Sequence, residues 1–262
     1  MIIDTHTHLD DESYRDDLDE VIKRANQAGV KGFLIPGADI EDLPRAKEIA
    51  SSYENIFFAA GVHPYHISQY DEAVLRDFLR DERCIAVGEC GLDYFRLPED
   101  EDEKQSVKNH QKDIFAQHIK LAIDINKPLI VHIRDANEDS KKVLLENNAD
   151  RVGGVLHCYN ASRHLLDLSE SGFYFGIGGV LTFKNAKKLV EILPEIPKER
   201  IIIETDSPYL TPHPHRGKRN EPFYTTLVVK KVAEILNMSE NDVQNMSTKN
   251  AKSLFNALKS VN

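Results

Sequence analysis

The N-terminal segment MIIDTHTHLD (residues 1–10) shows the pattern that decides the fold of this chain, an apolar run that ends in polar, reactive side chains. Ile2 and Ile3 predict a short buried strand, and His6 and His8 follow it one residue apart. Side chains two positions apart in a strand point to the same face, about 6.6 Å from one another. Two imidazoles in this arrangement can bind one metal ion, so the segment predicts a metal site whose other ligands lie elsewhere in the chain.

Apolar, β-branched runs of the same kind recur along the chain. They predict eight strands, near residues 2–6, 32–36, 56–61, 84–89, 129–133, 153–158, 173–177 and 200–205. Amphipathic patterns predict helices near residues 17–28, 42–52, 71–81, 104–125, 137–148, 161–170, 184–193, 223–236 and 241–258. Near-continuous apolar strands are typical of a parallel sheet covered on both faces. This α/β pattern predicts a single (β/α)8 TIM-barrel domain over residues 1–262 with extra C-terminal helices, and a doubly wound open sheet is the alternative.

Composition excludes some classes of function and compartment. With 33 basic and 43 acidic residues, the formal charge of −10 argues against a broad basic face that wraps nucleic acid, although it leaves room for a nuclease with a local phosphate site. Cys84, Cys90 and Cys158 are odd in number and lack CxxC spacing, which indicates reduced thiols in a cytoplasmic protein. The sequence shows neither a signal-peptide pattern nor an apolar run of membrane-spanning length, so we expect no membrane association.

A barrel predicts that reactive residues lie at the carboxyl ends of its strands. Polar residues occur at these positions after six of the predicted strands: His6 and His8, His63, Glu89, His132, His157, and Asp206. Strand eight pairs with strand one in a closed barrel, which places Asp206 beside His6 and His8. Glu89, His132 and His157 follow three consecutive strands and are expected to meet next to them.

This set of side chains predicts a centre with two divalent metal ions. Four histidines and up to three carboxylates are too many for one tetrahedral ion and suit two ions bridged by a carboxylate. Glu89, which is central in strand order, is the predicted bridge. Glu204 shares a face with Asp206, and we favour a role in orienting a ligand histidine over direct ligation. Imidazole-rich sites suit Zn, Mn or Fe, whereas Mg prefers oxygen ligands.

Several positions are candidates for binding substrate. Arg134 shares a face with His132, and His63 precedes Pro64; the alternatives are that Arg134 neutralises the carboxylates and that His63 is a turn residue. The segment HPHRGKRNEP (213–222) is densely basic, and its Arg216, Lys218 and Arg219 predict a phosphate site, with an ordinary surface loop as the alternative. The GIGG stretch (176–179) predicts either a close approach of substrate or a tight turn.

The motifs together resemble the TatD family of metal-dependent hydrolases. The matching segments are DTHTHLD, GVHP, GECGLDY, VHIRDA, LHC, GGVLTFKNA, and ETDSPYL followed by PHRGKRNEP, so that the resemblance covers nearly the whole chain. It implies a TIM barrel and a two-metal site with the ligands His6, His8, Glu89, His132, His157 and Asp206. It also implies hydrolysis of DNA, as an exonuclease on single strands, with Mg as a further candidate metal. Tyr159, Asn160 and Ala161 depart from the family pattern after His157-Cys158.

The predicted mechanism is attack of a metal-activated water on phosphorus, with Asp206 as the general base and Glu89 as the second catalytic carboxylate. Two other functions remain open at this point. One is hydrolysis of an ester or amide, such as D-aminoacyl-tRNA, and the other is metal-dependent binding of nucleic acid without cleavage. The predicted partner is single-stranded DNA as substrate, and the sequence indicates no protein partner.

Overall fold

The structure, a computed structural model, describes residues 1–261. Within this range the strands are β1 (Ile2–Asp4), β2 (Val30–Ile35), β3 (Ile56–Ala60), β4 (Cys84–Asp93), β5 (Leu129–Arg134), β6 (Gly154–Leu156), β7 (Phe173–Ile177) and β8 (Ile201–Ile203). The α-helices are α1 (Leu18–Gln27), α2 (Leu43–Ser52), α3 (Glu72–Leu79), α4 (Glu101–Ile125), α5 (Asn137–Glu146), α6 (Lys187–Ile192), α7 (Thr225–Leu236) and α8 (Glu240–Leu254). Each strand pairs in parallel with the next one along the chain, from β1 to β8.

Backbone hydrogen bonds between the ends of β1 and β8 close the sheet into a barrel. The Thr5 amide donates to the Ile203 carbonyl at 3.2 Å, and the Asp206 amide donates to the His6 carbonyl at 2.9 Å. A parallel bridge pairs Thr7 with Ser207, which follows β8. The predicted TIM barrel is therefore confirmed, and the open sheet is excluded.

Asp4, the first residue of the DTHTH motif, fastens this closure. Its carboxylate accepts hydrogen bonds from the Thr205 amide at 3.0 Å and from Thr205 Oγ1 at 2.6 Å. Burial raises the pKa of Asp4 well above its usual value, and these hydrogen bonds act against the rise. The buried carboxylate thus joins the segment after β1 to the segment after β8: it bonds Thr205 across the seam between them and also accepts from the His6 amide on its own side.

Alternate strand residues fill the barrel, and the C-terminal segment covers its amino end. The interior layer includes Ile3, Leu34, Phe57, Ile85, Ile130, Val155, Tyr174 and Ile202. Phe255, Leu258 and Val261 pack against this layer. Thr248 of α8 donates to the Met1 carbonyl at 2.9 Å, which places this helix at the start of β1. The carboxyl ends of the strands lie at the opposite end of the barrel and are free to carry a site.

Some predicted boundaries are wrong, for identifiable reasons. The segment predicted as a helix over 161–170 is a 3-10 helix, Arg163–Ser169, because the three-residue spacing of Leu165 and Leu168 suits either helix type. The last helix ends at Leu254 rather than residue 258, since Phe255 and the following residues turn into the barrel. Strand β4 continues past residue 89 because Asp93 still pairs with β5.

Two further expectations concern composition. Cys84, Cys90 and Cys158 are free thiols, as predicted. Within residues 1–261, no helix combines the length and the apolarity needed to cross a bilayer.

Candidate metal centre

His6, His8 and Asp206 meet at the seam between β1 and β8. Asp206 Oδ1 lies 3.6 Å from His6 Nε2 and 3.4 Å from His8 Nε2. The two histidines follow β1, which ends at Asp4, so they lie on the connecting segment rather than within the strand. Burial lowers the pKa of His8, but the hydrogen bond and charge of Asp206 outweigh burial and raise this pKa to about 9.

A bulge in β4 directs the Glu89 side chain toward the middle of the barrel mouth, the end of the barrel at which the carboxyl ends of the strands lie. The register of β4 against β5 shifts between Val87 and Cys90, and Gly91 beyond it has φ +137°. A β-carbon at Gly91 would collide with the backbone oxygen of His132, so only glycine allows the two strands to approach this closely. The GECGLD motif is therefore the local sequence that presents Glu89.

Glu89 contacts histidines on two sides. Its Oε2 lies 3.4 Å from His6 Nε2, and its Oε1 lies 2.9 Å from His132 Nδ1. His157 Nε2 is 4.0 Å from the same Oε1. Burial raises the pKa of Glu89, but the surrounding imidazoles outweigh burial and hold it well below its usual value. This carboxylate stays ionised between two groups of nitrogen donors, which is the position predicted for a bridging ligand.

Two of these histidines have a second carboxylate behind them. His132 Nε2 donates to Asp93 Oδ2 at 2.9 Å, which turns Nδ1 toward Glu89. His157 Nδ1 lies 3.1 Å from Glu204 Oε1, which turns Nε2 toward Glu89 and Asp206. Carboxylates in this place fix the tautomer and the ring orientation of a metal-binding histidine. Glu204 thus lies where the sequence predicted an orienting residue.

The GIGG stretch makes room for Glu204. A β-carbon at Gly176 would collide with the Glu204 carboxylate, whose Oε1 also accepts a hydrogen bond from the Cys158 amide at 2.6 Å. The close approach predicted for this stretch is therefore made by a protein side chain. Burial lowers the pKa of His157, but the charges of Glu204, Glu89 and Asp206 raise it to about 10.

The donor atoms fit divalent metal ions. Groups of three potential ligand atoms lie within 4.8 Å of one another: His6, His8 and Asp206 form one group, and His6, Glu89 and His157 form a second. His63, Asp93 and His132 form a third. Both ring nitrogens of the buried His6 lack a hydrogen-bond partner. An unpaired buried polar group is costly, and a cation would offset that cost.

Two cavities meet at this cluster. One of about 620 Å³ is bordered by His8, His63 and Glu89. The other, of about 910 Å³, extends along the segment after His157 toward α6. Residues that line both are His132, Arg134, His157, Asp206 and Tyr209.

His63 and Arg134 both face this space. His63 Nδ1 accepts a hydrogen bond from the Tyr65 amide at 3.1 Å, so that its proton is on Nε2, 3.9 Å from Glu89 Oε1. Burial lowers the pKa of His63 to about 3 and keeps the ring neutral. The Arg134 guanidinium lies 3.6 Å from the centre of the Phe95 ring and borders both cavities.

The basic loop after β8 lies apart from both cavities. Arg216 donates to the Thr211 carbonyl at 2.9 Å and stacks on Phe183 at 3.9 Å, while Lys218 is exposed. Arg219 pairs with Asp17 at 2.6 Å, which ties the loop to the segment before α1. Neither Arg216 nor Lys218 borders a cavity of the centre, because local partners hold the loop against the outer helices. Their substrate-binding role stays a prediction.

Sequence reasoning missed Asp93 and Arg96. Asp93 lies four residues after Glu89 in the same strand, and this even spacing could have placed both carboxylates on one face of β4. The predicted strand ended at residue 89, so that signal was lost. Arg96 borders the smaller cavity from the loop that follows β4, and nothing in its local pattern distinguishes it from a surface arginine.

Asp93→Asn tests the orientation of His132. The variant keeps Oδ1, which accepts a hydrogen bond from the Phe95 amide at 2.9 Å, but loses the acceptor for His132 Nε2. We expect metal affinity or kcat/KM to fall by about 10–100-fold. Metal titration and steady-state kinetics measure this, with Asp113→Asn on the exposed face of α4 as the control. Wild-type values for both quantities in Asp93→Asn would contradict an orienting role.

Comparison with known proteins agrees with this geometry. The family model "TatD related DNase" matches residues 3–256. The chain is 41% identical to the uncharacterized metal-dependent hydrolase YabD of Bacillus subtilis, over 97% of this chain and 99% of YabD. It is 34% identical to the 3'-5' ssDNA/RNA exonuclease TatD of Shigella flexneri, over 88% of this chain and 90% of that protein. The crystal structure of YJJV, a TatD homolog from Escherichia coli, superposes with a TM-score of 0.89 at 26% identity, over 97% of this chain and 98% of that one. The resemblance seen in the motifs is thereby confirmed, and the chain belongs to the TatD family of metal-dependent hydrolases.

Proposed function

We propose that this protein hydrolyses phosphodiester bonds of single-stranded DNA, as an exonuclease that uses two divalent metal ions. The observation that carries the proposal is the position of Glu89, whose two oxygens contact His6 at 3.4 Å and His132 at 2.9 Å. A carboxylate between two sets of nitrogen donors is the arrangement expected for a bridged pair of cations. The name of the Shigella flexneri relative supports a nucleic-acid substrate.

The ligands of this proposed pair are His6, His8, Glu89, His132, His157 and Asp206. Imidazole nitrogens dominate the set, which favours Zn or Mn over Mg. When bound, such ions supply an acidified water and polarise a phosphoryl oxygen. Asp93 and Glu204 lie behind His132 and His157 and orient these rings, so that the inward nitrogen of each would serve as a ligand once a cation displaces its proton.

The side chains around the cluster perform the remaining steps. Asp206 borders both cavities and accepts the proton of the attacking water. Its pKa is held below the usual value, because the nearby histidines outweigh the effect of burial. Arg134 offsets the negative charge on the phosphoryl oxygens, and neutral His63 donates a hydrogen bond from Nε2.

Phosphate chemistry is favoured over carbonyl chemistry by the cations at the mouth. Arg134 and Arg96 both border the smaller cavity, and guanidinium groups bind phosphate with paired hydrogen bonds. A simple carboxylic ester or amide carries no such charge, whereas an aminoacyl-tRNA carries phosphates of its own. Hydrolysis of an aminoacyl ester without cleavage of DNA is the outcome that would overturn the proposal.

Digestion of a single-stranded DNA oligonucleotide, labelled at the 5' end in one sample and at the 3' end in another, tests the proposal. With Zn, Mn or Mg present we expect stepwise shortening from one end, and with a chelator we expect none. Metal analysis of the untreated protein identifies the ions. Binding without cleavage under every metal would indicate a nucleic-acid-binding protein, and cleavage of D-aminoacyl-tRNA alone would indicate an esterase.

A further inference from the structure

Three exposed aromatic side chains surround the metal centre. Among residues 1–261, four large hydrophobic side chains are strongly exposed: Tyr65 at 39%, Phe95 at 55%, Tyr209 at 54% and Leu145 at 49%. Leu145 lies on α5, whereas Tyr65, Phe95 and Tyr209, which we term the aromatic rim, lie at the barrel mouth. Exposed apolar groups gathered in one place mark a surface that binds something.

Each member of the aromatic rim is held by a residue of the centre. The Tyr65 ring packs edge-on against His63 with centroids 4.9 Å apart, and the Tyr209 ring packs against His8 at 5.8 Å. The Phe95 amide donates to Asp93 Oδ1 at 2.9 Å, the same carboxylate that orients His132. A ligand bound at the metal site would therefore also contact the aromatic rim, because each rim residue directly contacts a residue of the centre.

Two of the three rings are paired with arginines. The Arg134 guanidinium lies 3.6 Å from the Phe95 ring centre, and that of Arg96 lies 5.4 Å from the Tyr65 ring centre. Phe95 is 55% exposed even with this partner on it, so that much of its ring remains available. Asp10, Asp39 and Asp42 line the same cavity as Arg96. An anionic chain is thus attracted to the side that carries Phe95 and Tyr65 and repelled by the acidic side.

We propose that Phe95 and Tyr65 of the aromatic rim form a stacking platform for the unpaired nucleobases that flank the scissile phosphate, with Arg134 and Arg96 holding the adjacent phosphates, while Tyr209, whose hydroxyl donates to Asp11 at 3.0 Å, lies on the acidic side. The proposal rests on the nuclease activity proposed above and specifies how the substrate is selected. Every base has a π-face, so the platform is tolerant of sequence. In a duplex the bases already stack on one another, so that only single strands gain from the rim. The rim is therefore the structural origin of a single-strand preference.

Binding of two decanucleotides to the metal-loaded protein tests this platform. Both have hydrolysis-resistant phosphorothioate linkages; one carries thymine at every position, and the other is abasic throughout. For the wild type we expect tighter binding of the thymine strand. Phe95→Ala and Tyr65→Ala should each weaken binding of the thymine strand roughly tenfold and leave the abasic strand unchanged. Fluorescence anisotropy measures both, with Leu145→Ala as the matched control and Phe95→Tyr as the variant that restores binding.

The outcomes separate stacking from other effects. If Phe95→Ala weakens both strands equally, the ring acts by placing Arg134 on phosphates, and the platform is overturned. If the wild type binds both strands equally, the rim serves another ligand, such as a protein, and the platform is also overturned. Hydrolysis of methyl p-nitrophenyl phosphate, which has no base, reports the metal centre separately. If the wild type does not hydrolyse this ester, the result counts against the proposed function. If it hydrolyses the ester but binds the thymine and abasic strands equally, the result counts against the aromatic rim alone.

Discussion

Asp206→Asn is expected to lower kcat by about 10²–10⁴-fold while the barrel remains folded. The substitution removes the carboxylate that we propose as the proton acceptor, which lies 3.6 Å from His6 and 3.4 Å from His8. Asp206 has φ +58°, a left-handed conformation that asparagine adopts readily. Asparagine also keeps the backbone amide that donates to the His6 carbonyl across the seam. Steady-state kinetics on single-stranded DNA and thermal unfolding give the two readouts.

The control for this variant separates chemistry from metal loss. Metal content of Asp206→Asn is compared with that of the wild type, since Asp206 is also a proposed ligand. If Asp206→Asn keeps its metal but loses turnover, Asp206 acts in proton transfer. If the variant loses its metal, Asp206 acts as a ligand. Asp113→Asn, a change of the same kind on an exposed part of α4, should behave as the wild type. Near-native turnover in Asp206→Asn would remove both roles from this residue.

If Glu89 bridges the proposed pair of ions, Glu89→Gln is expected to lower the metal content to one ion or none per chain and to reduce kcat/KM about 100-fold. Glutamine keeps the shape of the side chain but removes the charge that lies among His6, His132 and His157. Without that anion, two cations would face each other with less negative charge between them. Metal analysis after dialysis measures the effect directly.

Restoration of activity distinguishes Glu89 from a merely structural residue. Treatment of the wild type with a chelator should abolish activity, and addition of Zn or Mn should restore it. The same additions should not restore Glu89→Gln. Glu138→Gln on the exposed face of α5 is the matched control. A variant that binds two ions and recovers full activity would show that Glu89 is not the bridge.

The meeting of these imidazoles and carboxylates could be predicted from the sequence, because strand order and strand ends constrain where they lie. Once eight parallel strands are inferred, His6, Glu89 and Asp206 have no other place to lie than one rim of the barrel. The same logic failed for Asp93, because recognising it required the end of β4 to be known. That end depends on pairing with β5 beyond the bulge between Val87 and Cys90, which is a non-local contact.

The basic loop shows what a charge pattern leaves open. The density of Arg216, Lys218 and Arg219 predicts a phosphate site, and this stays a prediction, because charge along the chain does not state which partner each side chain contacts. Arg219 is paired with Asp17 over a large sequence separation, and Arg216 stacks on Phe183. Arg134 and Arg96, with no basic neighbours in sequence, are the arginines that border the centre.

By itself the sequence determined the barrel, the family and the residues that carry imidazole or carboxylate at strand ends, because apolar periodicity and strand-end position are local properties. Only the tertiary structure decided which carboxylate lies behind which histidine and which arginines border the cavities. It alone also brought Tyr65, Phe95 and Tyr209 to one rim. These relations depend on contacts between distant segments, whose free energies are set by packing across the barrel rather than by neighbours in the chain.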